Sequence, residues 1–237
     1  MTDLTREISK DELNELPIEV IPIPVEVIDE TTPIDRVGEV CDLLRSSEIV
    51  GFDTETKPSF TKGVTHKVAL LQLANAEQSY IFRLIRLSDE AKAPLRAIIE
   101  DKKLIKVGVG IHDDARILRS DYEWTPAGML EIRRLTVENQ MQVGSLSKIY
   151  ALLYGKRLTK GQRLSDWEKE TLTEAQINYA GLDAWAGLRI FDALKDVFRP
   201  AMVENVFEPM KKTVPKARSF RKKPHTTRKR ISDKQEE

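Results

Sequence analysis

The sequence predicts a mixed α/β domain, because short apolar runs alternate with longer segments of helical period. The predicted strands cover residues 48–54, 67–74, 78–83 and 104–108. The predicted helices cover residues 35–46, 89–100, 111–120, 129–140, 145–154 and 174–197. A chain of 237 residues is long enough to bury a sizeable core between these elements.

The first strand and the last helix have the clearest local signals. The strand is marked by the apolar run Ile49-Val50-Gly51-Phe52, which ends in acidic residues. Before the last helix, either Thr173 with Gln176 or Thr171 with Glu174 offers a capping box. In that motif the two side chains satisfy backbone amides that the first turn leaves free.

Two terminal segments differ in composition from the domain, which we place at residues 35–200. Residues 1–34 are acidic and contain Pro17, Pro22, Pro24 and Pro33. Apolar residues alternate there, so we expect extended chain along the domain edge, where proline is tolerated. Residues 201–237 form a basic tail, in which residues 211–230 carry ten Lys or Arg and no acid. We expect this tail to be disordered alone.

The composition predicts a cytoplasmic protein with no membrane partner. The single cysteine, Cys41, excludes an internal disulfide framework and suits a reducing compartment. No segment approaches the ~18 apolar residues that a membrane helix needs. Residues 1–10 also lack the charged start and apolar run of a signal peptide.

Acidic side chains at three places in the sequence indicate a metal site. Asp53 and Glu55 end an apolar strand, and the period of two in a strand puts both carboxylates on one face. Two anions side by side repel each other unless a cation lies between them. Asp114 follows a second strand, and Tyr179 and Asp183 share one face of the last helix because they are four residues apart.

These positions and their surroundings resemble the DEDD superfamily of 3′-5′ exonucleases. The matching blocks are residues 48–56, 106–114 and 165–184, with residues 67–73 and 145–158 between them. The tyrosine in the third block places the resemblance in the subclass of Werner-type and ribonuclease D-type proteins, over about residues 36–198. The resemblance implies a ribonuclease H-like α/β fold, with a mixed five-stranded sheet flanked by helices.

The resemblance also implies a role for each residue of the site. Four carboxylates would bind metal, namely Asp53, Glu55, Asp114 and Asp183. By family analogy Asp53 bridges two divalent cations and Asp114 acts on one of them through water. Tyr179 would hold the attacking water in line. A site whose ligands are all oxygen atoms selects Mg²⁺ or Mn²⁺. Two such ions about 3.5–4 Å apart stabilise the charge that develops on the oxygens during phosphodiester hydrolysis.

The sequence departs from the family pattern at two places. The second motif offers two adjacent acids, and the family spacing favours Asp114 over Asp113 as the ligand. In the third motif Gly181 and Leu182 stand where the family usually has a small and a polar residue. Neither departure removes a ligand.

Nucleic acid with a free 3′ end is the expected partner, and no obligate protein partner is inferred. The expected contacts are Thr54, Thr56, Phe60, Lys62, His66, His112, Lys160, Gln162 and Arg163. Phe60 would stack on the terminal base, because stacking needs no sequence preference. The basic tail would act as an electrostatic arm that binds phosphates without sequence specificity.

We therefore predict a metal-dependent 3′-5′ exonuclease that releases nucleoside 5′-monophosphates. DNA is the favoured polymer, since the Werner-type resemblance implies DNA. Only about 40 residues follow the last predicted helix, so we expect none of the helical domains that ribonuclease D-type proteins usually carry there. Trimming of RNA 3′ ends is a second hypothesis for the same chemistry. Two further hypotheses are a catalytically silent adaptor that binds nucleic acid, and a metabolic enzyme that uses Mg²⁺ on a phosphorylated small molecule.

Overall fold

A six-stranded sheet with helices on both faces forms the protein, and the computed structural model describes residues 4–206. The strands are β1 (Val25–Ile28), β2 (Ile49–Thr56), β3 (Val68–Ala74), β4 (Ser79–Phe82), β5 (Ile105–Gly108) and β6 (Met129–Glu131). The helices are α1 (Lys10–Glu15), α2 (Ile34–Ser46), α3 (Asp89–Ile99), α4 (Ile111–Tyr122), α5 (Ile132–Glu138), α6 (Leu146–Tyr154) and α7 (Glu174–Leu194). The basic residues 211–230 lie outside the described part of the chain.

β2, which carries the first acidic motif, lies inside the sheet, whose order is β1-β4-β3-β2-β5-β6. It pairs antiparallel with β3 and parallel with β5. β4 is antiparallel to β3, while β1 and β6 close the two edges as parallel strands. All seven residues of β3 are buried, as expected for a strand covered on both faces. The predicted mixed α/β class is confirmed.

The sheet has six strands rather than the predicted five, because the N-terminal segment contributes β1. Its four residues pair in parallel with those of β4. Pro22 and Pro24 precede β1, where their missing amide hydrogens interrupt no ladder. The expectation of extended chain along the edge is confirmed for this strand.

The predicted helix at residues 129–140 is wrong at its start, because residues 129–131 form β6. Gly128 has a φ of 65°, and a Cβ there would lie 2.5 Å from the carbonyl oxygen of Leu104. The chain thus comes close enough to β5 to pair with it. The short apolar run Met129-Leu130 fits a strand and a helix equally well, since it is too short to show a period.

Helix α7 crosses one face of the sheet and brings the third motif to β2. It packs against β1 to β5 with α5 and α6 beside it, whereas α2, α3 and α4 cover the other face. Gly51 permits the crossing, because a Cβ there would lie 1.9 Å from the carbonyl oxygen of Ala184. Thr173 and Gln176 form the capping box of α7, which confirms the first of the two predicted pairs.

Gly181 lies where the N-terminal segment packs against α7. A Cβ at Gly181 would lie 2.9 Å from Cγ2 of Val25 and 3.3 Å from Cδ1 of Ile21. The glycine that departs from the family pattern therefore provides the room that this contact needs. Among residues 4–206, no helix combines the length and the apolar composition that crossing a membrane requires.

Candidate active site

Three of the predicted metal ligands lie together at the end of β2. Asp53, Glu55 and Asp183 each offer a carboxylate oxygen, and these oxygens lie within 4.8 Å of one another. Asp53 and Glu55 alternate with Thr54 along β2, and Asp183 comes from α7. All three acidic side chains are partly buried. The fold thus brings two motifs that are distant in the sequence to one point.

Asp114 reaches the same end of β2 from the other layer of helices. It lies in the first turn of α4, and its Oδ1 accepts a hydrogen bond of 2.5 Å from Oγ1 of Thr54. Asp113 is exposed and instead pairs with Arg116 at 2.6 Å. Of the two adjacent acids, Asp114 is therefore the one beside β2, and its role as a ligand stays a prediction.

The acids of this cluster hold their protons more tightly than isolated acids do. Burial, followed by the charges of Asp183, Asp114 and Glu55, raises the pKa of Asp53 well above its ordinary value. Burial and the charges of Asp183 and Asp114 raise the pKa of Glu55 to about 9. Burial also raises the pKa of Asp183 to about 7, and that of Asp114 to about 6 against the opposing hydrogen bond from Thr54. Ionising the whole cluster without a cation is therefore unfavourable.

A divalent cation fits this cluster. The group of three consists of carboxylates alone, and hard oxygen donors suit Mg²⁺ and Mn²⁺. A cation between the carboxylates replaces their mutual repulsion with attraction. Binding of the cation and ionisation of the ligands therefore favour each other.

We expect the metal-free protein to lose stability as the pH rises, and Glu55→Gln to reduce that loss. An unfolded glutamate ionises near pH ~4.3, whereas folded Glu55 has a pKa of about 9. Between these values the native state binds more protons than the unfolded state, so the contribution of Glu55 to the free energy of unfolding falls with pH. Thermal unfolding in chelator from pH ~5 to ~9 measures this, and the advantage of Glu55→Gln over wild type should grow with pH. Parallel curves for the two proteins would contradict the prediction.

Tyr179 stands beside Asp183 as a protonated phenol. Burial, followed by the charges of Asp183, Glu55 and Asp53, raises its pKa above the ordinary value. The centre of its ring lies 6.0 Å from that of Trp167, a fully buried residue before α7. A neutral hydroxyl held in this way can donate one hydrogen bond and accept another.

Lys160, Gln162 and Arg163 lie beside Tyr179. A cavity of about 200 Å³ is lined by Lys160, Arg163, Tyr179 and Asp183, among others. Gln162 lines a neighbouring cavity of about 210 Å³ that also reaches Tyr179. Exposed cationic side chains at this place can bind the oxygens of a phosphate.

His66 and Thr56 border a second groove, of about 620 Å³, on the side of α4. Lys67 and Arg116 also line this groove. Nδ1 of His66 lies 2.9 Å from Oε1 of Glu168, which fixes the orientation of the imidazole ring. The groove therefore offers two cations and one oriented ring next to the end of β2.

The other predicted nucleic-acid contacts differ in how they are engaged. Phe60 is 84% exposed and Lys62 is also exposed, both in the loop between β2 and β3. The hydroxyl of Thr54 is instead turned to Asp114. Nε2 of His112 lies 3.1 Å from Oε2 of Glu204. The structure thus leaves the two loop residues accessible and engages Thr54 and His112 within the protein.

An ion pair that the sequence does not predict joins two segments next to the site. Nζ of Lys57 lies 2.8 Å from Oδ2 of Asp166 and 3.6 Å from Oε2 of Glu168. This contact joins the end of β2 to the turn that carries Trp167. Lys57 directly follows β2, after the irregularity in the pairing between Glu55 and Thr56, and no local pattern in the sequence indicates its partners.

The fold and the acidic cluster agree with a match to a known family. The family model described as 3′-5′ exonuclease matches residues 29–199, and the chain belongs to this family. The resemblance to the DEDD superfamily is thereby confirmed, and members of that superfamily use divalent metals.

Individual relatives differ in length and in their additional parts. The chain is 32% identical over 165 residues to a bifunctional 3′-5′ exonuclease/ATP-dependent helicase, WRN, of Mus musculus, covering 68% of this chain and 12% of that protein. It is 30% identical over 157 residues to ribonuclease D of Gluconacetobacter diazotrophicus, covering 65% of this chain and 38% of that protein. The chain therefore spans well under half the length of either relative.

A solved structure supports the same fold. The exonuclease domain of Nibbler from Aedes aegypti superposes with a TM-score of 0.67 at 20% identity. The superposition covers 77% of this chain and 96% of that domain. This likeness identifies the fold as that of the ribonuclease D-like exonucleases.

Proposed function

We propose that this protein is a metal-dependent 3′-5′ exonuclease that hydrolyses nucleic acid from its 3′ end and releases nucleoside 5′-monophosphates. The observation that carries the proposal is the meeting of Asp53, Glu55 and Asp183 within 4.8 Å, next to Tyr179. Family membership supports the same chemistry. A silent adaptor is disfavoured, because every acid of the family pattern is present.

Two divalent cations, Mg²⁺ or Mn²⁺, are the proposed cofactors. Asp53, Glu55 and Asp183 would hold them, with Asp114 contributing from α4. When bound, such cations stabilise the charge that develops on phosphate oxygens and lower the pKa of bound water. The all-carboxylate donor set supports this proposal.

The remaining side chains of the site orient the reactants. Tyr179 keeps its proton at neutral pH, so it positions the attacking water by a hydrogen bond rather than by accepting a proton. Lys160 and Arg163 border the same cavity and bind phosphates of the terminal nucleotides. The hydrogen bond from Thr54 fixes the rotamer of Asp114.

DNA is the proposed polymer, as the resemblance to Werner-type proteins implies, and the chain is similar to the exonuclease/helicase WRN. The second candidate is trimming of RNA 3′ ends, which the similarity to ribonuclease D favours. Contacts to the 2′-hydroxyl group would distinguish the two polymers.

Degradation of labelled substrates tests the function directly. Wild type and Asp53→Ala would be incubated with 3′-tailed duplexes of DNA and of RNA, labelled at the 5′ end, with Mg²⁺, Mn²⁺ or chelator. We expect a metal-dependent ladder that shortens from the 3′ end and is absent with the variant. The polymer degraded faster identifies the substrate. Folded wild type that retains both polymers and shortens neither would overturn the proposal.

Removal of the basic tail should lower the affinity of the protein for nucleic acid and make that affinity depend less on salt. The ten Lys or Arg of residues 211–230 are available to neutralise phosphates, and each phosphate contact contributes about 0.7 to the slope of log K against log salt for single strands. Deleting residues 211–237 should therefore reduce this slope by several such increments. A chain in which the ten basic residues are glutamine should behave like the deletion, which separates charge from length. Equal slopes for all three proteins would exclude the arm.

A further inference from the structure

Gln72 is a buried amide that has no hydrogen-bond partner. It lies in the middle of β3 with none of its surface exposed. Neither Oε1 nor Nε2 has a partner among residues 4–206. A buried amide without a partner destabilises a fold, whereas an apolar side chain of similar size would not carry this penalty. Packing alone therefore does not explain why a glutamine occupies this position.

The register of the sheet places Gln72 directly opposite Asp53. The two residues are partners in the antiparallel pairing of β2 and β3, so both side chains leave the sheet on the same face. Directly opposed residues have Cβ atoms about 4.5–5.5 Å apart, which a glutamine side chain can span. This is the face that α7 covers with Asp183.

On β4, the neighbours of Gln72 offer no second polar partner. Its cross-strand partner on β4 is Ile81. Ser79, the next residue of β4 on this face, already donates to the carbonyl oxygen of Gly181 at 3.1 Å. Asp53 is therefore the polar side chain directly opposite Gln72, whereas Glu55, the other carboxylate of β2 on this face, pairs with Leu70 and lies diagonally.

We infer that Gln72 is a positioning residue, whose Nε2 donates a hydrogen bond to the carboxylate of Asp53 when that carboxylate holds a cation. The inference rests on the proposed function, because it concerns the same metal site. A carboxylate has about four lone-pair sites, more than two cations use, so an oxygen of Asp53 remains able to accept. A hydrogen bond to a ligating carboxylate fixes its orientation, and removing such bonds typically weakens metal binding or activity about 10- to 100-fold.

The structure leaves the amide of Gln72 without a partner. A hydrogen bond from its Nε2 to the carboxylate of Asp53 would satisfy this buried polar group.

Gln72→Met separates this role from a structural one, because the two predict opposite changes. Methionine has a similar length and no amide, so the melting temperature of the metal-free variant should rise by a few degrees in chelator. Its affinity for Mn²⁺, measured by calorimetric titration without nucleic acid, should fall by about 10- to 100-fold. Turnover at subsaturating Mn²⁺ should fall with it. Gln72→Leu serves as a second variant.

Ser79→Ala is the matched control, since it removes a buried hydrogen bond to α7 from the same face without reaching Asp53. It should lower the melting temperature and leave the affinity for Mn²⁺ unchanged. If wild type does not bind Mn²⁺, the proposed function itself fails. If wild type binds and both Gln72 variants bind equally well, only the role of Gln72 is overturned. Lower stability or loss of the fold in both variants would also overturn it, by showing that the amide supports the metal-free fold.

Discussion

Asp53→Asn is expected to abolish hydrolysis while the protein stays folded. Asparagine keeps the shape of the side chain and removes the charge at the centre of the acidic cluster. Loss of several kcal/mol of charge stabilisation in the transition state corresponds to a fall in kcat of about 10³-fold or more. The same change removes a repelling acid, so the melting temperature in chelator should rise. Single-turnover degradation and thermal unfolding measure the two effects.

Asp113→Asn provides the comparison for this experiment. Asp113 is also acidic and lies next to Asp114, but it is exposed and paired with Arg116. Its replacement should change neither turnover nor the stability in chelator by a large amount, because exposed ion pairs contribute little. Wild-type hydrolysis by Asp53→Asn would contradict the role of Asp53. Loss of hydrolysis in Asp113→Asn would instead make Asp113, and not Asp114, the acid of the second motif.

Tyr179→Phe should lower kcat by about 100-fold and leave metal and nucleic acid binding unchanged. Positioned groups that act on a reacting proton or water contribute about 10²- to 10⁴-fold, and phenylalanine loses only the hydroxyl while keeping the ring next to Trp167. The loss should be the same across neutral pH, because Tyr179 is protonated throughout. Turnover and KM over a pH series would be measured with Mn²⁺ saturating.

Tyr154→Phe controls for the loss of a tyrosine hydroxyl elsewhere. Its hydroxyl donates to the carbonyl oxygen of Arg189 at 2.6 Å, on the far part of α7. Turnover should therefore match that of wild type. Unaltered turnover of Tyr179→Phe would remove this residue from the mechanism.

Local periods in the sequence predict which residues of the acidic site lie next to each other in pairs. Asp53 with Glu55 follows from the period of a strand, and Tyr179 with Asp183 follows from that of a helix. The meeting of the two pairs depended on the family resemblance, since no local rule joins β2 to α7. The hydrogen bond of Thr54 to Asp114 depends on packing between two layers, which neither period encodes.

Local periods do not predict the register between strands or the type of very short elements. β6 was assigned to a helix because a run of three residues is too short to show a period. The position of Gln72 opposite Asp53 is a property of the pairing between β2 and β3. In the sequence, Gln72 stands in the apolar run Leu70-Leu71-Gln72-Leu73 with no mark of its neighbour across the sheet.

The strand β1 covers a side of β4 that would otherwise be the edge of the sheet. The family match begins at residue 29, so a fragment starting there would keep the residues of all three motifs and lose β1. β4 would become the edge of the sheet and present unpaired amides and carbonyls, while the face of α7 at Gly181 would lose its cover. An open edge of this kind is a template for pairing with another chain. Residues 25–28 thus occupy the edge of β4 in place of another chain.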